Sequence, residues 1–83
     1  MLYTVYILFS AQKDRYYVGC TSDVVARLIR HNQKSKGFTG VFSDWIIVYK
    51  EEFLVKEVAY AREKEIKKWK SRKMIVELIA KNN

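Results

Sequence analysis

Two runs of β-branched and aromatic residues near the start of the chain, at 3–9 and 16–21, leave it few ways to fold. Such side chains suit a pleated, half-buried surface. The polar stretch between the runs (Ser10, Gln12, Lys13, Asp14, Arg15) has turn character, so the pair predicts a β-hairpin. Inside it stand two triplets, Thr4-Val5-Tyr6 and Tyr17-Val18-Gly19. Period-two alternation puts Tyr6 on the face opposite Val5, Ile7 and Phe9, and lets Tyr17 and Gly19 share a face opposite Val18. A hairpin built this way holds two phenols close together.

Past the hairpin, Thr21, Ser22 and Asp23 are N-cap candidates, and Val24, Val25, Leu28 and Ile29 form an apolar stripe at helical spacing up to about His31. Arg27 and His31 are four residues apart and lie on one face of that helix. Because the helix follows directly on the second triplet, Arg27 is expected to reach the pocket of the tyrosines. The segment 32–44 has no periodicity and carries Lys34, Lys36, Gly37 and Gly40, which predicts a long basic loop suited to touching a substrate. A nearly continuous apolar run at 45–53 predicts a third strand, central in the sheet or packed under helices. From 55 to 70 the period becomes 3.6, with Val55, Val58, Ala59, Arg62, Ile66 and Trp69 on one stripe and Glu63 beside it. Ser71 is placed to cap a last helix that buries Met74, Ile75, Leu78 and Ile79. The expectation is one α/β domain over residues 1–83: a small three-stranded antiparallel sheet packed with helices in the order ββαβαα.

A formal charge of +7, from sixteen Lys and Arg against nine acidic residues, attracts polyanions, and nucleic acid is the common one. One cysteine, Cys20, makes no disulfide within the chain, which fits a reducing compartment. It is read as a packing residue and not as a nucleophile, since no third residue is in place to orient a thiol–histidine pair. The first apolar run has no basic leader and is broken by tyrosines, so it is expected as a strand and not a signal peptide. No stretch approaches the roughly twenty apolar residues of a membrane span. A cytoplasmic protein with no membrane association is expected.

The ordered set of two tyrosine triplets, then Arg27 and His31, then Glu63 in a later basic helix, resembles the GIY-YIG nuclease domain, and most of all its small stand-alone bacterial members. The resemblance covers nearly the whole chain. Thr4 and Val5 stand where the signature has Gly and Ile, and Val18 where it has Ile. It implies a metal-dependent endonuclease acting on DNA, with Mg²⁺ or Mn²⁺ as cofactor. In the roles it implies, Glu63 binds the metal, Arg27 contacts the scissile phosphate, and Tyr6 and Tyr17 are the tyrosine pair, one of which aligns the water or takes its proton. Gly19 would allow a close approach of backbone and phosphate. His31 and Lys67 match substrate-side positions of the small members, although Lys67 is also one turn from Glu63 and able to pair with it. Larger members carry a supporting asparagine beyond this helix, with which neither Asn82 nor Asn83 is equated.

Phosphodiester hydrolysis needs a nucleophilic water, an acceptor for its proton, and positive charge on the transition state. The acidic residues are scattered along the chain, and only Glu63 stands at the rim of an apolar stripe where it faces a pocket. One carboxylate with waters and a substrate phosphate is an ordinary Mg²⁺ environment, so a one-metal site suits this chain better than a two-metal site. The alternatives are a non-catalytic or weakly catalytic nucleic-acid-binding module of the same fold, and a protein-interaction domain whose charge is incidental. Retention of both tyrosines, Arg27 and Glu63 favours the enzyme, because binding alone has no use for a carboxylate among phosphates.

Overall fold

The computed structural model describes residues 1–33 and 44–81. The basic segment around Lys34 and Lys36, expected to touch substrate, lies outside the described residues, as do Asn82 and Asn83. The elements are β1 (Tyr3–Ser10), β2 (Arg15–Thr21), α1 (Val24–Asn32), β3 (Ile46–Phe53), α2 (Lys56–Trp69) and α3 (Arg72–Lys81), in the expected order. They form a three-stranded antiparallel sheet with strand order β2-β1-β3.

The hairpin turns through Asp14, which adopts φ 55° and returns its amide to the Ser10 carbonyl at 2.7 Å. Aspartate tolerates this left-handed backbone better than most residues. Strand β1 occupies the centre, and Val5, Tyr6, Ile7 and Leu8 are all fully buried. Its alternate side chains enter two separate cores. Val5 and Ile7 join Val18, Cys20, Tyr49, Ala59 and Ile66, under α2 and the Ile75, Leu78 and Ile79 side of α3. Tyr6 and Leu8 join Trp45, with Tyr17, Val24, Leu28 and Ile47 packed around them. Helix α1 therefore covers one face of the sheet, and α2 with α3 the other.

Strand β3 stands at an edge, not at the centre, and a bulge opposite Ile7 and Leu8 shifts its register. Its apolar run is continuous because Ile47 and Val48 serve opposite faces of the sheet, while Ile46 is left exposed. The helical stripes are also narrower than the sequence suggests, since Val25, Ile29, Val55, Val58 and Met74 are exposed. A nine-residue helix on a small sheet buries a single ridge, here Val24 and Leu28, and the next ridge round the helix points away.

Polar fasteners set where the elements sit. Asp23 caps α1 by accepting from the Ala26 amide at 3.1 Å, and Ser71 Oγ accepts from the Met74 amide at 3.3 Å at the start of α3. Asn32 grips the backbone of Trp45 in both directions, at 3.1 and 2.8 Å. Asp44 accepts from Ser10 Oγ at 2.6 Å and from the Gln12 amide at 2.8 Å. On the other face, Arg62 of α2 donates through Nε and an Nη to Glu51 of β3, each at 3.0 Å. It also pairs with Glu65 and lies over the Trp69 ring. The Tyr49 hydroxyl donates to the same Glu51 carboxylate.

Arg62 thus ties α2 to the sheet with charge-assisted bonds that are largely shielded from water. Arg62→Met keeps the aliphatic stem and leaves Glu51 without its partner. It is expected to lower stability by about 2 kcal/mol, or the thermal midpoint by roughly 10 °C, read by circular dichroism. An unchanged midpoint would show that packing alone holds α2.

Candidate active site

The register of the hairpin sets Tyr6 directly across from Gly19 and Leu8 across from Tyr17. Tyr6 and Tyr17 are therefore diagonal neighbours on one face of the sheet, with ring centroids 6.4 Å apart. Gly19 makes room for Tyr6. A Cβ there would lie 2.4 Å from Tyr6 Oη and 2.5 Å from Cζ, so the missing side chain is the space the Tyr6 ring fills.

His31, in the last turn of α1, closes the group. Its Nε2 is 3.1 Å from the Tyr6 hydroxyl, and its ring centroid is 4.7 Å from that of Tyr17. Burial, then the positive charges of Arg27 and Arg30, hold the imidazole below its usual pKa. The Tyr6 phenol is pushed up to about 12 by burial first and by Tyr17 second, against the lowering influence of Arg27. The phenol keeps its proton and the imidazole is neutral, so the two share a hydrogen bond between uncharged groups whose direction is set by the imidazole tautomer.

Arg27 acts on Tyr6 both through its charge and at hydrogen-bonding range. The carboxylate of Glu63 is close enough to raise the pKa of Tyr6 and of Cys20, whose thiol is raised chiefly by burial. Glu63 sits on α2 and Arg27 on α1, helices that cover opposite faces of the sheet. The charges of both reach Tyr6 and Cys20 of the hairpin from their two sides of the sheet. Lys67, one turn after Glu63, binds its carboxylate at 3.0 Å. Tyr6, Tyr17, Gly19, Arg27, His31 and Glu63 thus share one locality, with Lys67 attached through Glu63.

Two neighbours were not singled out from sequence. Trp45 is buried with its ring centroid 6.5 Å from that of Tyr17, forming the wall behind it. Asn32 holds Trp45 in place beside His31. Only a large aromatic residue at the start of a strand hinted at the first, and nothing local marked the second.

Among the described residues, no three His, Cys, Asp or Glu side chains cluster to hold a metal ion. Glu63 is the carboxylate at this locality, and its mostly buried side chain suits a single divalent ion that keeps its waters.

The sequence model of the GIY-YIG catalytic domain matches residues 2–75. The chain belongs to the GIY-YIG family. Members of this family are nucleases, and the fold is accordingly of nuclease type. The chain is also similar to the UPF0213 protein BH0048 from Bacillus halodurans, solved by NMR in solution, at 30% identity and a TM-score of 0.61. That likeness covers 96% of this chain and 84% of the other. A search of curated proteins gave no match. No helix among the described residues of this GIY-YIG protein is long and apolar enough to cross a membrane.

Two predictions follow from this packing. Gly19→Ala forces a methyl group into the buried Tyr6 ring, and is expected to cost about 2 kcal/mol in chemical denaturation. A stability equal to wild type would mean that the hairpin yields at no cost. The second concerns pH. An unfolded imidazole takes up its proton near pH 6.5, whereas folded His31 stays neutral to lower pH. The unfolded state then binds more protons as pH drops, so stability present at pH 7 is lost as pH falls through the folded pKa. Urea denaturation between pH 7 and 5 should show a shallower loss for His31→Gln than for wild type, and equal slopes would remove His31 from the account.

Proposed function

We propose that this GIY-YIG protein is a Mg²⁺- or Mn²⁺-dependent endonuclease that hydrolyses phosphodiester bonds in DNA. The observation that carries the proposal is the packing of Tyr6, Tyr17 and His31 into one group, with the charges of Arg27 and Glu63 both within reach of the Tyr6 phenol.

In this reading the oxygen of a water attacks phosphorus and gives one proton to solvent, the P–O bond to the leaving group breaks, and the leaving oxygen takes a proton from solvent. Glu63 would hold the metal ion. A divalent ion there neutralises phosphate charge and makes its bound water more acidic. Arg27 supplies a fixed positive charge to the transition state without needing to reorganise. Tyr6 is buried up to its hydroxyl, keeps its proton, and steadies Arg27 and His31. Tyr17 is half-buried and therefore the phenol placed to align the attacking water. Neutral His31 holds the Tyr6 hydroxyl in place by a hydrogen bond through Nε2. The net charge of +7 draws the DNA to the site.

The Lys67 ammonium on Glu63 favours a second reading, in which the carboxylate is already neutralised and the protein binds nucleic acid without efficient cleavage. One set of assays separates the two. Wild type should nick DNA only with added Mg²⁺ or Mn²⁺, and bind it more weakly as salt rises. Glu63→Gln, shown folded by circular dichroism, should lose cleavage and keep binding, while Arg27→Ala slows cleavage about a hundredfold or more. Tyr17→Phe is expected to slow cleavage with the fold intact. Cleavage by Glu63→Gln equal to wild type would make Glu63 structural, and salt-sensitive binding with no cleavage by wild type would leave the binding module.

A further inference from the structure

A groove of about 450 Å³ opens beside the candidate site, between the start of β2, the end of α2 and the first turn of α3. Its walls include Tyr16, Tyr17 and Ile75, and its cations are Lys67, Lys70 and Arg72 among others. Two of these residues belong to both places. Tyr17 packs on His31, and Lys67 holds Glu63. Lys67 therefore joins the groove to Glu63, whereas Tyr17 lines it from the edge strand and turns its ring to the opposite face of the sheet.

Its chemistry is divided. The acidic residue on its wall, Asp14, is bound to Arg72 at 2.7 Å, and Arg72 lies over the Tyr16 ring with its guanidinium carbon 5.3 Å from the centroid. The interior is apolar and aromatic, whereas the rim is cationic. A bare phosphate would use the rim and waste the apolar walls, and a paired base in a duplex could not enter without leaving its stack. A ligand with a flat apolar body and an attached anion uses both parts. In a polynucleotide that unit is one unpaired nucleotide, and the volume lies in the range of small-molecule sites.

We propose that the groove is a nucleotide subsite that takes an unpaired base of the strand being cut, next to the phosphate held at Arg27 and Glu63. The proposal rests on the nuclease reading above and adds to it the form of substrate. Lys67 and Lys70 hold the backbone at the mouth, and contact with the apolar walls depends on the base being free. Local unpairing next to the cleaved bond then becomes a requirement for tight binding.

The test uses the full chain in EDTA at low salt, with three probes: a twelve-nucleotide thymidine strand, an abasic strand of the same length and charge, and a thymidine strand carrying 5-iodouracil for photocrosslinking. The base-bearing strand should bind about tenfold more tightly than the abasic one. The crosslink should map to Tyr16. Tyr16→Leu, which keeps apolar volume and removes the ring, should narrow the difference between the two strands. Lys70→Glu, on the exposed rim, should weaken both alike. Equal affinity for the two strands, or the absence of a crosslink at Tyr16, would overturn the subsite while leaving metal-dependent cleavage of DNA in place. No binding to either strand would remove the nuclease reading and the subsite together.

Discussion

Burial of β1 on both faces is the constraint on which the rest of this structure depends. A central strand with Val5, Tyr6, Ile7 and Leu8 all withdrawn from water requires cover on each side. In a short chain that cover can come only from helices close in sequence, and α1 takes one face while α2 and α3 take the other. Alternation along the strand then assigns Tyr6 to the α1 side. The cross-strand partner there has to be glycine, because the phenol ring occupies the volume of a side chain at position 19. A site residue and its supporting glycine are thus a single packing decision.

The electrostatics of the site follow from the same burial. Withdrawal of Tyr6 from water raises its pKa more than Arg27 lowers it, so the phenol keeps its proton in its hydrogen bond with His31. Positive charge near the site is divided between ordered and adaptable groups. Arg62 is committed to Glu51 and Glu65, and Arg72 to Asp14, so these two guanidiniums hold the scaffold together. Lys67 is half exposed and attached to Glu63 by one i,i+4 pair, an arrangement worth only a few tenths of a kcal/mol. An arriving phosphate or cation can displace it at little cost. The ion pair that favours a passive carboxylate is therefore also the easiest contact in the site to exchange.

The edge position of β2 links the site and the groove. Groups from the two faces of a sheet are ordinarily separated by the backbone, and around an edge strand that separation ends. Glu63 from one side and Arg27 from the other act through their charges on the same phenol. The groove alongside shares Tyr17 and Lys67 with the site.

Local chemistry made much of this protein legible. Two β-rich runs around a polar turn specify a hairpin. Asp23 and Ser71 announce their helix starts through side-chain oxygens that act within three residues. The order of the elements and the faces of Tyr6, Tyr17 and Val18 follow from periodicity, which is a property of consecutive residues. Which strand lies at the centre does not. The run at 45–53 is as apolar as a central strand, yet β3 is an edge, because β1 had already paired with β2 and offered its other side. Exposure of Val25, Ile29, Val55 and Val58 was hidden for a related reason, since a helical stripe is as wide as its sequence but buries only what the sheet can meet. The residue types of the site could be read from their order along the chain. Their meeting, the fit of Tyr6 against Gly19, and the groove beside Lys67 are contacts between distant segments, and only the packing of helices on both faces of the sheet decided them.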